Sequence, residues 1–231
     1  MMFVFQLMLS PTRGNRPVIP AYHPAVADAQ EPPRDTERFE LGSERLEAFS
    51  DAVMAVIITL LAFQLRPPGG VTLAAVRHEL PSLFIYVLAF LFIAIYWNNH
   101  HHLLRATRWI SGGVMWSNMF LLFWLSLAPV VTEWIRTYPR GSLPVSSFGV
   151  VSLAAALSYG LLVRTIVRAN GRDSLVGRAL ASDVKGNLSI AMYAAGVGLA
   201  FVNVWIAYAL YGAVAIMWLI PDRRFARTTP P

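Results

Sequence analysis

Cysteine is absent from all 231 positions of the chain. Disulfides, thiol catalysis and cysteine-ligated metals are excluded with it, whatever the compartment. Charge is scarce too: Asp, Glu, Lys and Arg make up 14% of residues, against about 25% in an ordinary soluble domain. Walker loops, a His-Glu-x-x-His motif and a serine triad are missing, which leaves little for an enzyme reading. The later apolar runs also lack the mid-depth acidic or histidine relays that a proton-coupled transporter places there. What abounds is apolar surface, at 56% hydrophobic residues and a mean hydropathy of +0.51. Several runs reach the length of about 20 residues that crosses roughly 30 Å of hydrocarbon. The fold class is therefore all-α, a polytopic membrane protein. Its formal charge of +6 reflects orientation and anionic headgroups rather than nucleic acid.

The chain divides into a Pro-, Arg- and Asp-rich disordered N-terminal tail (1–40), a six-helix transmembrane domain (41–222) and a short basic tail (223–231). Met1 to Leu9 is apolar but too short to span, and it lacks the basic flank of a signal peptide. Helix 1 is expected from a Ser43 cap to Leu65, where Arg66-Pro67-Pro68-Gly69-Gly70 stops it. A short amphipathic piece over Leu73 to Leu80 leads to Pro81 in the first turn of helix 2, which ends at Trp97-Asn98-Asn99-His100-His101-His102. Helix 3 covers Ile110 to Trp134, with Trp116 and Trp134 placed as interfacial aromatics, and helix 4 covers Val145 to Val167. An amphipathic linker runs to Asn187. Helices 5 and 6 then meet in a tight link at Asn203 and end at Pro221.

Six spans put both termini on one side. Five of the 19 Lys and Arg lie in the N-terminal segment, two in the 2–3 connection, five around the 4–5 connection and three in the C-terminal tail. Only Arg66, Arg77, Arg136 and Arg140 fall opposite, so both termini are expected in the cytosol.

Helix 1 carries no charge from Ala52 to Leu65, yet Arg45 and Asp51 stand at its foot. Ionisable groups at that depth face protein or water and need partners. At 100° per residue Arg45, Phe49, Ala52, Val56, Leu60 and Phe63 form one stripe, with Thr59 beside it and Ser50 and Asp51 on an adjoining face. Periodicity alone suits such a stripe to packing on helices or lipid, and Asp51 to a satisfied interfacial carboxylate. Trp97 and the amides and imidazoles that follow it lie at the same membrane level and can supply donors to Ser50 and Asp51. Neither haem nor zinc is favoured for this histidine run. His23 and His78 stand elsewhere, and consecutive helical residues fan out rather than converge.

Arg45-x-x-x-Phe49-Ser50-Asp51, with a threonine eight residues after the aspartate, resembles the signature of the transmembrane protein 175 family, endo-lysosomal potassium channels with prokaryotic six-helix relatives. Trp97-x-x-His100-His101, Trp116-x-Asn118, Pro129 and the closing Ile220-Pro221-Asp222-Arg223-Arg224 are similar to the same family, and the likeness covers about residues 40 to 225. The resemblance implies a potassium-selective leak-type channel, a homotetramer with helix 1 lining the pore, and no cofactor beyond K+ as permeant ion. It implies apolar constrictions at Val56, Leu60 and Phe63, a selectivity layer at Thr59, and an inter-helix network of Arg45, Ser50 and Asp51 with Trp97, His100 or His101 and Asn118. Two departures bear on pore width: the family more often has isoleucine at the constriction and leucine at the third layer, where Val56 and Phe63 stand here. A Thr-Val-Gly-Tyr-Gly filter is lacking, so a ring of backbone carbonyls is excluded. The expected setting is the plasma membrane. The competing readings are a proton-permeable or weakly selective cation channel, an ion-coupled secondary transporter, and a non-conducting scaffold.

Overall fold

A computed structural model describes residues 35–171, 174 and 184–219, with side chains from Ser43 onward. The expected tail over its first 34 residues, most of the linker between helices 4 and 5, and everything from residue 220 lie outside the described residues. Among the described residues seven helices follow in order: α1 (Asp35–Phe63), α2 (Leu73–Arg105), α3 (Gly112–Ser126), α4 (Ala128–Thr137), α5 (Ser142–Asn170), α6 (Val184–Leu199) and α7 (Val204–Leu219). Ser43–Phe63, Leu73–Arg105, Gly112–Thr137 and Ser142–Asn170 are each long and apolar enough to cross a membrane. α6 and α7 are 16 residues each, about 24 Å of helix, and form the two shorter legs of a hairpin. The all-α arrangement of six helices expected from the sequence is therefore what the described residues adopt, with α3 and α4 sharing one span.

Local chemistry explains most boundaries. Thr72 Oγ1 accepts from the Ala75 N–H (3.3 Å) and Ser111 Oγ from the Val114 N–H (3.3 Å), each satisfying a free donor at a helix start. Asn203 Oδ1 accepts from the Trp205 N–H (2.9 Å), so the tight link falls where the sequence put it. α5 ends on Gly171, whose φ of 89° is a conformation that favours glycine. Asn170 clasps the α2–α3 connection through the backbone of Arg108 and Trp109.

Three sequence expectations need correction. Ser43 is not a cap: α1 begins at Asp35, and the Ser43 hydroxyl instead reaches across to the carbonyls of Leu104 (3.2 Å) and Thr107 (3.4 Å) at the end of α2. Pro81 does not open a helix, because Thr72 has already started one and the chain runs through the proline unbroken. The turns before it are largely exposed, so the Arg77 carbonyl that the ring leaves unserved is open to other donors. The third span is broken at Leu127, where Pro129 stands at the start of α4 and the preceding turn tightens through a Leu127 N–H to Trp124 carbonyl bond. Gln64 Nε2 donates to the Pro129 carbonyl (2.7 Å) and ties the end of α1 to this break.

α1 packs on α2 and α3, α3 on α5, α5 on α6, and α6 on α7. An aromatic column joins the two halves: Phe92 to Tyr96 (5.0 Å between centroids), Phe92 to Phe148 (5.8 Å), Phe148 to Tyr211 (5.6 Å) and Tyr211 to Tyr193 (6.0 Å). Gly149 and Gly196 make room for it, since a Cβ at either position would overlap the Tyr211 ring or hydroxyl.

Candidate functional site: the foot of the first span

Two faces of α1 differ sharply. Leu46, Ser50, Met54, Ile57 and Leu61 recur at helical spacing and are buried against the rest of the chain. Phe49, Val56, Leu60 and Phe63 remain exposed, and so do Arg45, Ala52 and Thr59. Met54, Ile57 and Leu61 are at most 2% exposed, whereas Val56 is 57% and Phe63 83% exposed. The stripe read from the sequence is thus the face that one chain leaves bare.

The buried face is pinned by a polar chain through three helices. Ser50 Oγ donates to the Leu46 carbonyl (2.8 Å) and accepts from Asn118 Nδ2 (2.9 Å). Asn118 Oδ1 accepts from His100 Nε2 at 2.6 Å, which places the imidazole proton on Nε2. All three residues are fully buried, and Nδ1 of His100 has no hydrogen-bond partner. Buried polar groups of this kind lock the register of α1, α2 and α3, since any slip strands a donor.

A second, half-buried cluster lies beside it. Trp97 Nε1 donates to Asp51 Oδ1 (3.0 Å), and the indole stacks on His101 at 5.5 Å and 25°. His101 Nδ1 sits 2.8 Å from Glu47 Oε1 and 3.9 Å from Asp51 Oδ2. Arg105 Nε stands 3.9 Å from Glu47. Of the residues expected in the network, Ser50, Asp51, Trp97, His100, His101 and Asn118 come together. Arg45 makes no ion pair with Asp51, whose partners are Trp97 and His101; Phe49 stays on the bare face. Glu47 and Arg105 escaped the sequence reading. The signal for each was helical spacing, one turn before Asp51 and one turn after His101. Glu47, Asp51 and His101 offer three ligand-type atoms within 4.8 Å of one another. Trp97 and Arg105 already engage the two carboxylates, as in a charge cluster between helices.

Fold and site together define a multi-span helical membrane protein organised around a polar cluster at the foot of its first span. Residues 45–129 match the model of the family described as the endosomal/lysosomal potassium channel TMEM175. A potassium channel of Chryseobacterium sp. (strain P1-3) is 40% identical over 184 residues, covering 80% of this chain and 96% of the relative. A potassium channel of Streptomyces collinus is 29% identical over 187 residues, covering 76% and 91%. The crystal structure of a lysosomal potassium-selective channel TMEM175 homolog from Chamaesiphon minutus shares the fold, with a TM-score of 0.68 at 22% identity over 78% of this chain and 97% of that one. The chain belongs to the TMEM175 family, which is a family of channels and not an enzyme class.

Proposed function

We propose that this chain forms a potassium-selective, leak-type cation channel in the plasma membrane, assembled as a homotetramer with both termini cytosolic. The observation that carries the reading is the bare stripe of α1 opposite a pinned and buried face. One helix cannot enclose a path, so equivalent stripes from symmetry-related copies must meet around an axis. The relatives' description as potassium channels supports K+, and four copies is what the resemblance to the family implies. In that arrangement Val56, Leu60 and Phe63 form apolar constrictions, which gate by dewetting because an ion there loses water with no fixed charge in return. Thr59 Oγ1 donates to the Ala55 carbonyl (2.6 Å), so its remaining lone pairs face outward, where they can replace part of the hydration of a passing cation.

Potassium flux and reversal potentials in proteoliposomes test this directly. Val56→Asn and Leu60→Asn should raise flux, and Thr59→Val should lower discrimination between K+ and Na+. Unchanged flux and selectivity in all three would remove α1 from the pore. A proton-permeable or weakly selective channel is the second reading, favoured by the ionisable trio Glu47, Asp51 and His101 beside the foot of α1. Reversal potentials that follow a pH gradient and ignore a K+ gradient would favour it over the first.

A further inference from the structure

A cavity of about 1140 Å³ lies between α2, α5, α6 and α7, on the side of the chain away from the bare stripe of α1. It exceeds the roughly 300–1,000 Å³ of a small-molecule pocket. From the level of Phe148 to that of Arg168 its α5 wall runs about 30 Å, the depth of the hydrocarbon core. The walls are overwhelmingly apolar, and α2 and α5 are held across it by aromatic spacers, Phe92 against Phe148 and Tyr96 against Tyr159. Trp205 and Tyr208 line one end and Trp218 the other, the positions that interfacial aromatics take.

Among the described residues, charge on the lining is confined to one end. Arg164 and Arg168, one turn apart on α5, both line the cavity, both are exposed, and no described carboxylate lines it with them. Neither arginine has a carboxylate partner among the described residues. Two exposed guanidiniums at the mouth of an apolar, membrane-depth groove suit an anion that arrives with the apolar matter that fills the groove. A basic pocket between spans at one membrane face has the chemistry of an anionic headgroup site. We infer that this groove binds one anionic phospholipid, its acyl chains along α2 and α5 and its phosphate on Arg164 and Arg168. The site stands or falls independently of whether α1 lines a pore.

The test uses the full chain purified in mild detergent, with lipid binding read by native mass spectrometry. Phosphatidylglycerol and phosphatidylcholine of identical acyl chains are compared, with an inorganic phosphate arm alongside. Two charges, each contributing about fivefold near a surface, should give roughly a twenty-five-fold preference for phosphatidylglycerol. Arg164→Gln with Arg168→Gln should abolish that preference and leave phosphatidylcholine binding unchanged. Gly160→Leu should weaken both lipids, because Gly160 lines the groove and a Cβ there meets nothing within 4 Å. Phosphate alone should neither bind measurably nor compete. Equal binding of the two lipids by the wild-type chain, which needs no variant to fold, would overturn the site. So would a preference that survives the double arginine substitution, or competition by free phosphate at the same concentration as lipid.

Discussion

Asn118→Leu isolates the polar chain at the foot of the first span. Asn118 is fully buried and uses both ends of its amide, donating to Ser50 and accepting from His100. Leucine keeps the branched skeleton and is the larger side chain, so no cavity opens and the main loss is that of two inter-helix hydrogen bonds, with any overpacking adding to it. Such bonds in membranes average about 0.6 kcal/mol and reach about 1.7, so the variant should lose roughly 1–3 kcal/mol. The upper part of the range is expected here, because His100 Nδ1 already lacks a partner and the substitution strands Nε2 as well. His100→Leu combined with Asn118→Leu removes the stranded imidazole, and Ser50 still donates to the Leu46 carbonyl. The double variant should then be less destabilised than the sum of its singles by about 1 kcal/mol. Unfolding in mixed micelles, followed by the intrinsic fluorescence of the seven tryptophans, closes the cycle. Strict additivity, within the 0.3–0.5 kcal/mol or so expected of independent sites, would refute the coupling between these side chains.

Gly149→Ala should lower the unfolding midpoint through overpacking of about 1–3 kcal/mol, because the added methyl overlaps the Tyr211 hydroxyl and stands 2.9 Å from Val197; Tyr211→Leu in the same chain should recover most of it. Ser43→Ala strips the Leu104 and Thr107 carbonyls of a donor and should cost about 0.5–1.5 kcal/mol by the same micelle assay, where no change would deny the contact any energetic role. Asp51→Asn keeps an oxygen for the Trp97 indole and should stay within about 1 kcal/mol of wild type, while Asp51→Leu should also shift the Trp97 emission; equal spectra for the two would argue against that bond.

The spans were legible because crossing a bilayer imposes length and hydrophobicity at once, and those are properties of sequence alone. Asn203 was legible for a related reason: a short polar side chain between two apolar runs offers its own backbone a hydrogen bond. Ser43 and Pro81 were misread because both carry strong local preferences that distant contacts overrode. Ser43 found carbonyls on α2, and Thr72 began a helix early enough to carry Pro81 inside it. The same limit hid Glu47. Its pairing depends on where His101 and Arg105 arrive from another helix, and spacing along α1 contains only half of that information. The stripe on α1 was visible as a periodic pattern, but which face is covered is a statement about packing and had to come from the fold.

Bare apolar side chains do not by themselves call for a partner in lipid, where leucine is as comfortable beside an acyl chain as beside another helix. What separates an axis from a lipid boundary is the polar company the stripe keeps. Arg45 is exposed at its foot with no ion pair among the described residues, and Thr59 turns oxygen lone pairs outward from its middle. Both are hydrated cheaply beside a water-filled path and poorly beside acyl chains. The complete lack of cysteine makes this testable without background. Single cysteines at Thr59 and Arg45, placed one at a time, should react with a charged, membrane-impermeant thiol reagent applied to proteoliposomes. Cysteine at Met54, on the same helix but fully buried, should not. A Thr59→Cys chain that resists charged reagents yet reacts with a lipid-soluble maleimide would turn the stripe toward the bilayer and leave the pinned foot as the anchor of an ordinary structural span.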